Sequence, residues 1–348
     1  MFTDELLSLP SSWEYILKSK KPVVIYGTGN GADKVIDEMQ KQGIKIFGVA
    51  ASDGFVRKRV FRGFEVKPLG SFEKNCIFAV AFGSCRKEVM NKICAMDAET
   101  DVVVPVVPVC GNEVINREFL AKNREKIEEC LSLFDEKSKF IYKKSISFMF
   151  TGRLNYLVEA TSEKEEIMSG LMKPGDAELF LDIGAYRGET VKEFLHYSNG
   201  EYVGITAAEP DSKTFEKLKI NLGYLNNITL LNKSAYSFDG DVCFSHFAGR
   251  QSAVGGKGKS ECFAVDTLFE KTAFSYIKID AEGSESEIIK GMVNCLKEAK
   301  PRLNIALYHR SEDFFTLPLM VKQINPGYRF AVRRHPYIPC WDFNLYCF

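Results

Sequence analysis

Short apolar runs alternate with amphipathic stretches in the first third of the chain. An apolar run over residues 23–26 leads into the glycine turn GTGNGA, which is followed by a helical pattern to about Gln42 and a second apolar run over 44–49. Further apolar runs occur at 77–82 and in the sequence DVVVPVVPV. Strand, glycine turn, helix and strand in this order predict a βαβ unit. We therefore expect a small Rossmann-like α/β domain over residues 1–110.

The pattern changes after this region. Residues 111–170 are rich in charged residues at helical spacing, as in NREFLAKNREKIEECLSLFDEKSKF. They show no further alternation of strands with glycine turns. We expect a helical connector between two domains.

Alternation of strands and helices returns over residues 171–348. Buried strands are expected at LFLDI, YVGITAAE, ITLLN, SYIKID and RLNIALY, with helices after the first, second, fourth and fifth. Such βαβ repeats require a parallel sheet that is covered on both faces. YRFAVRRHP and WDFNLYCF read as two strands close in sequence, which predicts an antiparallel hairpin at the sheet edge. The expected fold is a doubly wound sheet with an antiparallel C-terminal hairpin.

Length, charge and cysteine spacing limit the classes of protein to which the chain can belong. A length of 348 residues exceeds what a single core usually supports, which favours two domains. The chain has 46 basic and 46 acidic residues, so charge gives no reason to expect nucleic acid or an anionic membrane as a partner. The N-terminus lacks a basic stretch followed by an apolar one, and no long apolar run or CxxC pair occurs. We expect a cytoplasmic protein with reduced thiols and no zinc site.

The stretch ELFLDIGAYRGETVKEF combines a buried strand with two glycines and a helix. Gly184 lets the chain turn sharply and Gly188 lets the helix approach, but the spacing GxxxG differs from the GxGxxG that accommodates a pyrophosphate. Glu209 ends the next strand about twenty residues later, where an acid can accept the ribose hydroxyls of an adenosine. A ligand with a ribose and no phosphate is expected. S-adenosylmethionine fits, with Asp182 near a positively charged group.

The residues expected to bind this donor lie in the glycine turn, after the second strand and at a later strand end. They are Asp182, Gly184, Ala185, Tyr186, Gly188, Glu209, Pro210, Ser234 and Ala235. The alternative is that Asp182 is only a helix N-terminal acid and that the glycines form only a tight connection.

Four stretches of the second half carry a resemblance to a known family. LDIGAYRGET, AAEPDSKTFEKLKIN, FAVDTLFEKTAFSYIKIDAEGSESEIIKGM and LNIALYHRSEDFFTLP resemble the FkbM-type S-adenosylmethionine-dependent methyltransferases in order and spacing. KIDAEGSE is the most specific phrase. Ala281 and Ser284 stand where the family suggests valine and alanine, and Ala207 and Ala208 shorten the strand before Glu209. The first half also looks like an amino-terminal region that some of these enzymes carry.

The resemblance implies a class I methyltransferase domain over residues 171–348. It also implies methyl transfer to a hydroxyl of a sugar, a polysaccharide or a secondary metabolite. The acceptor would be a small molecule or a glycan, with neither nucleic acid nor a membrane as partner. A homo-oligomer is compatible with the sequence.

Three polar residues are candidates for catalysis. Asp280 ends the strand SYIKID, Glu282 follows two residues later, and His309 comes just after RLNIALY, so they should share one rim of the sheet. We expect His309 or Asp280 to be the general base and Glu282 to position the acceptor. The acids could instead cap a helix that begins near Ser284, and His309 could be an ordinary loop histidine. The three could also hold a divalent cation, which the pattern does not favour because no dense acidic cluster marks them.

Other polar positions near these motifs receive simpler interpretations. Lys278 alternates with apolar neighbours and is expected to pack or to orient other groups. His196 and His246 are expected to be structural. The glycine-rich segment 248–260 is expected to be a loop that covers the site, or else a surface excursion.

Two other classes of function remain open. The turn GTGNGA permits a nicotinamide-dependent enzyme that acts on a nucleotide sugar. However, the turn lacks a third glycine at the right distance, and only Asp53, several residues late, follows the second strand. The first domain could instead bind a nucleotide-type ligand or serve as an interaction module. A non-catalytic binding protein with the same fold is the other class.

Overall fold

The computed structural model describes residues 1–56, 60–245, 253–254 and 258–348. The chain separates into two compact units. The first unit consists of Met1–Leu131, Glu136–Ser162 and Arg334–Asp342, and the second of Ser132–Asp135, Glu163–Arg333 and Phe343–Phe348. The division predicted from the sequence, at residues 110 and 170, remains a prediction. Within the described ranges, no helix has both the length and the apolar character needed to cross a membrane.

The first unit is built on a six-stranded sheet. Its strands are β1 (Val23–Tyr26), β2 (Ile46–Ala51), β3 (Val60–Phe61), β4 (Phe64–Pro68), β5 (Ile77–Val80) and β6 (Asp101–Val103). They are ordered β3-β4-β2-β1-β5-β6, and all neighbours are parallel except β3 and β4. Every residue of β1 and β5 is buried, as their apolar sequences lead one to expect. The predicted Rossmann-like fold is confirmed for this unit.

Eight helices are described in the first 162 residues. They are α1 (Phe2–Leu7), α2 (Ser12–Lys18), α3 (Asn30–Lys41), α4 (Lys87–Glu99), α5 (Arg117–Lys122), α6 (Arg124–Ser132), α7 (Glu136–Thr151) and α8 (Leu154–Glu159). Single 3₁₀ turns occur at Asp53–Phe55 and Leu69–Ser71. A capping box between Ser11 and Glu14 begins α2, which satisfies backbone donors that the helix itself leaves unpaired.

The second unit contains the sheet with more strands. Its helices are α9 (Lys164–Glu166), which continues into the π-helical turn Ile167–Met172, α10 (Glu189–Tyr197), α11 (Ser212–Leu222), α12 (Val265–Phe269), α13 (Glu285–Lys290), α14 (Val293–Glu298) and α15 (Asp313–Ile324). Its strands are β7 (Leu179–Ile183), β8 (Gly204–Ala208), β9 (Ile228–Leu231), β10 (Ser234–Ala235), β11 (Gly240–Ser245), β12 (Ala253–Val254), β13 (Gly258–Phe263), β14 (Tyr276–Ile279), β15 (Arg302–Ala306), β16 (Phe330–Arg334) and β17 (Phe343–Cys347).

Seven of these strands form one sheet in the order β16-β17-β15-β14-β7-β8-β9. The five strands from β15 to β9 are parallel, and β17 is antiparallel to β15. Arg329 and Phe348 exchange two backbone hydrogen bonds of 2.9 and 3.1 Å, as antiparallel neighbours do. The predicted doubly wound sheet with an antiparallel C-terminal hairpin is confirmed.

The strand order reverses at β7. The chain runs from β7 to β8 and β9 on one side, whereas β14 and β15 lie on the other. An open parallel sheet forms a ligand crevice at the carboxyl ends of the strands where its order reverses. Beneath this point, the stacked rings of Phe180, Phe194 and Tyr276 occupy the core, with centroids 4.5 and 4.9 Å from that of Phe180.

A second, small sheet was not predicted from the sequence. Its order is β10-β13-β11-β12, and β11 pairs antiparallel with both β12 and β13. Strands β12 and β13 therefore occupy part of segment 248–260, where only a loop was expected. The rest of that segment, residues 248–252 and 255–257, lies outside the described residues, as does His246.

Candidate active site

The glycine turn after β7 passes directly over the end of β14. The amides of Gly184 and Ala185 both donate to the carbonyl of Ala208, at 3.0 Å each. Gly184 has φ +78°, and a Cβ on it would lie 1.8 Å from the carbonyl oxygen of Asp280. A side chain at this position is therefore excluded by both the backbone conformation and the space. The turn therefore packs closely against the end of β14.

Glu209 follows β8 and joins the glycine turn to the next loop. Its carboxylate accepts hydrogen bonds from the amide of Tyr186 at 3.0 Å and from the amide of Asp211 at 2.9 Å. Burial raises the pKa of Glu209 to about 7, although the two amide donors oppose this shift. The acid thus lies next to the glycine turn, as the sequence predicted, and a carboxylate oxygen that accepts one amide can still accept a hydroxyl.

Asp182 is completely buried within β7. Neither of its carboxylate oxygens has a hydrogen-bond partner among the described residues, and the ammonium of Lys278 lies 3.8 Å away. Burial raises the pKa of Asp182 to about 6, because the charge of Lys278 offsets only part of the desolvation. The positively charged neighbour that was expected for Asp182 is therefore provided by the protein itself.

The remaining predicted donor residues fall into two groups. Gly188 donates to the carbonyl of Ala185 at 2.8 Å, and the carbonyl of Pro210 accepts from Asn232 at 3.1 Å, so these residues belong to the loops around the turn. Ser234 and Ala235 instead form β10 of the small sheet. There the hydroxyl of Ser234 donates to Ser260 at 3.0 Å.

Asp280, Glu282 and His309 converge at the ends of β14 and β15. The Nε2 atom of His309 lies 3.4 Å from Oδ1 of Asp280 and 3.6 Å from Oε2 of Glu282. Its Nδ1 atom lies 2.8 Å from Oε1 of Glu285. The sequence prediction that the three residues share one rim agrees with these distances.

The ring of His309 faces carboxylate oxygens with both of its nitrogens. A carboxylate accepts hydrogen bonds, so both nitrogens act as donors only when the ring is an imidazolium. Burial alone would lower the pKa of His309, but the carboxylates of Glu285, Asp280 and Glu282 raise it to about 10. His309 therefore carries a proton at neutral pH, which makes it a poor general base.

Asp280 has the opposite character. Its side chain is 31% exposed, whereas that of His309 is 1% exposed. The hydroxyl of Tyr308 donates to it at 3.1 Å, and the ammonium of Lys278 lies 3.4 Å away. Burial would raise the pKa of Asp280, but Lys278, His309 and Tyr308 together hold it below its usual value. Asp280 is thus an ionised acceptor at the open side of the cluster.

The family model of the methyltransferase FkbM domain matches residues 182–330. The chain carries a methyltransferase FkbM domain. This span contains the glycine turn, Glu209 and the whole carboxylate cluster, so the resemblance drawn from the motifs is confirmed.

A solved structure agrees with this chain in fold, and two others match it only weakly. A crystal structure of methyltransferase FkbM from Methylobacillus flagellatus KT matches with a TM-score of 0.74 and 19% identity, covering 100% of this chain and 97% of that one. A precorrin 8W decarboxylase from Methanobacterium thermoautotrophicum matches at a TM-score of 0.33 and 16% identity, over 52% of this chain and 87% of that one. Fibrillarin from Aeropyrum pernix with bound S-adenosyl-L-methionine matches at a TM-score of 0.35 and 11% identity, over 53% of this chain and 73% of that one. No curated protein matches significantly.

Two buried acids of the FkbM domain were missed in the sequence. Glu285 is fully buried at the start of α13, where it accepts the amide of Ala281 at 2.8 Å as well as facing His309. Asp313 is buried and accepts the amide of Arg310 at 3.0 Å; burial, followed by the nearby charge of Glu285, raises its pKa well above the usual value. Both acids stand in the first turn of a helix, a position that also suits an ordinary capping acid.

A group of possible cation ligands lies within the same cluster. Asp280, Glu285 and His309 each offer one ligand atom, and these atoms are all within 4.8 Å of one another. This set replaces the Glu282 of the predicted set with Glu285. The positive charge of the protonated His309 ring already compensates the negative charges of the same carboxylates.

The glycine turn of the first unit has a packing role. A Cβ on Gly31 would lie 2.6 Å from the carbonyl oxygen of Ala81, so close packing of α3 explains this glycine. After β2, the hydroxyl of Ser52 lies 2.6 Å from that of Tyr26, and Asp53 is exposed in the following turn. The position of a ribose-binding acid in a dinucleotide site is thus occupied by a serine here.

Proposed function

We propose that this protein transfers a methyl group from S-adenosylmethionine to an oxygen of a small-molecule or glycan acceptor. The observation that carries the proposal is the pairing of two features on adjacent strands. These features are a bare glycine turn beside the buried Glu209 and an ionised, partly exposed Asp280 at the end of β14. The first suits a donor with a ribose, and the second suits an acceptor that must lose a proton.

The donor would be held by the loops at the carboxyl ends of β7 and β8. Glu209 would accept the ribose hydroxyls, and the main chain from Gly184 to Gly188 would line the crevice. Ala185, Tyr186 and Pro210 belong to the same loops. When bound, S-adenosylmethionine supplies a methyl group on a sulfonium, a carbon that is already activated for displacement.

Asp280 is the group that we assign as general base. It is ionised and exposed, so it can take the proton of an acceptor hydroxyl as the oxygen becomes the nucleophile. His309, as an imidazolium, holds the carboxylates of Asp280 and Glu282 near one another. Of the two bases predicted from the sequence, this geometry favours Asp280, and Glu282 remains the residue proposed to position the acceptor.

Methyl transfer by the Asp280→Asn variant tests the assignment. Full-length protein is incubated with labelled S-adenosylmethionine and a panel of sugars, polysaccharides and small hydroxylated compounds, and labelled product is measured. Turnover should fall by roughly a hundredfold or more, while affinity for S-adenosylhomocysteine hardly changes. Glu216→Gln, on the exposed face of α11, is the matched control and should keep full turnover.

The same assay with EDTA tests for a cation. We expect turnover to resist EDTA, because the proton of His309 compensates the carboxylates that would otherwise bind a metal ion. Loss of turnover with EDTA and its return with magnesium would assign the cluster to a cation instead. Full turnover in the Asp280→Asn variant would remove Asp280 from catalysis.

The setting that we propose is the cytoplasm. All ten cysteines are free thiols, as is usual for proteins in a reducing compartment.

A further inference from the structure

Lys278 lies between the two halves of the proposed site. Its ammonium is 3.8 Å from Oδ1 of Asp182, below the glycine turn, and 3.4 Å from Oδ2 of Asp280, at the acceptor side. Its side chain is 11% exposed, and that of Asp182 is fully buried. One buried ammonium therefore faces both a donor-side and an acceptor-side carboxylate.

The strand register explains this arrangement. Lys278 in β14 is the direct partner of Asp182 in β7, so the two side chains point to the same face of the sheet. Asp280 follows two residues later, and alternation along the strand returns it to that face. On the other side of Asp182, the register partner is Ala207, which offers no polar side chain.

The buried charge of Asp182 requires a partner. Its oxygens have no hydrogen-bond partner among the described residues, so the ammonium of Lys278, 3.8 Å away, is the cation that stabilises its ionised form. Removal of one member of a buried ion pair is strongly destabilising, because the other charge is left unpaired. The same ammonium also attracts Asp280, so a change on one side of Lys278 acts on the other.

We propose that Lys278 is a positioning residue that couples the donor side to the acceptor side, by pairing with Asp182 and by holding the carboxylate of Asp280 at the open rim. The link between the two carboxylates rests on the strand register and on the two distances. Only the predicted effect of Lys278 on turnover rests on the proposed methyl transfer.

A double-mutant cycle on the full-length protein tests the coupling. Lys278→Met should lower the melting temperature by several degrees, because Asp182 is left as an unpaired buried charge. Asp182→Asn should then raise the melting temperature in the Lys278→Met background, relative to its effect in the wild type. Equal effects of Asp182→Asn in both backgrounds would overturn the proposal. Should Lys278→Met fail to fold, Lys278→Gln takes its place in the cycle.

Kinetic measurements provide a second test of the role proposed for Lys278. Lys278→Met should lower kcat by about tenfold or more, and Lys278→Arg should recover part of the loss because it retains a cation. Lys290→Met is the matched control, since Lys290 is exposed on α13 and pairs with Glu287 at the surface. Wild-type kcat in Lys278→Met would also overturn the proposal. If the protein transfers no methyl group, the proposed function is wrong. The double-mutant cycle of melting temperatures still measures the coupling between Lys278 and Asp182.

Discussion

His309 is held by carboxylates on both sides of its ring, and this has a consequence for stability. Its pKa rises from the ordinary value of 6.5 to about 10 in the folded protein. A raised folded-state pKa stabilises the fold by an amount that is fully present below about pH 6.5 and is lost as pH rises through about 10. The imidazolium of His309 therefore contributes to stability throughout the neutral range.

Comparison of the wild type with His309→Asn tests this prediction. Between pH 8 and pH 10.5, the wild type should lose roughly 1 kcal/mol or more of unfolding free energy relative to the variant. The measurement is urea unfolding at each pH. His196→Asn, on the exposed surface of α10, is the control. A gap between wild type and His309→Asn that stays constant with pH would show that the ring is neutral in the native protein.

At this scale the sequence predicted where side chains converge, but not how they pair. Asp280 and His309 follow the ends of neighbouring strands, so their meeting at one rim could be inferred from the strand order alone. The protonation of His309 depends on Glu285, whose carboxylate is buried against the ring. An acid at the start of a helix gives no sign in the sequence of whether it faces solvent or a buried imidazole.

The turn between β7 and α10 limits which residue types position 184 can accept. A Gly184→Ala substitution would place its Cβ 1.8 Å from the carbonyl oxygen of Asp280 and would also strain the backbone. We expect a loss of about 3 kcal/mol or more in unfolding free energy, measured by urea denaturation. Gly200 has a similar φ of +79°, and apart from its chain neighbours no described residue has an atom within 4 Å of the added Cβ, so Gly200→Ala should cost only about 1–2 kcal/mol. Equal costs in the two variants would contradict the close approach of the turn to β14.

Elements with buried, apolar sequences were predictable. Strands β7 and β14 read as LFLDI and YIKI and are buried along nearly their whole length. The small sheet was not predictable in the same way, because β10 has only two residues and its partner β13 lies in a glycine-rich stretch. Pairing of this kind depends on tertiary contacts rather than on a periodic pattern.

At the scale of the whole molecule, the two units combine distant parts of the chain. The segment Arg334–Asp342, which runs from the last residue of β16 to the residue before β17, clusters with the first unit, where Ile338 pairs with Ser84. The hairpin pattern in the sequence predicted both strands, but it could not show that their connection belongs to another unit. The Rossmann-like fold of each unit was predictable, since each contains strand, glycine turn and helix in order.

The central claim is that the glycine turn of the second unit, together with Glu209, binds the methyl donor. Calorimetric titration of the full-length protein with S-adenosylhomocysteine, in the wild type and in Glu209→Ala, tests it most directly, with Glu216→Ala on the exposed face of α11 as control. The wild type and the control should bind with the same affinity, the Glu209→Ala variant should bind on the order of tenfold more weakly or worse, and NAD should give no binding. Absence of binding to the wild type, or equal affinity in Glu209→Ala, would contradict the claim.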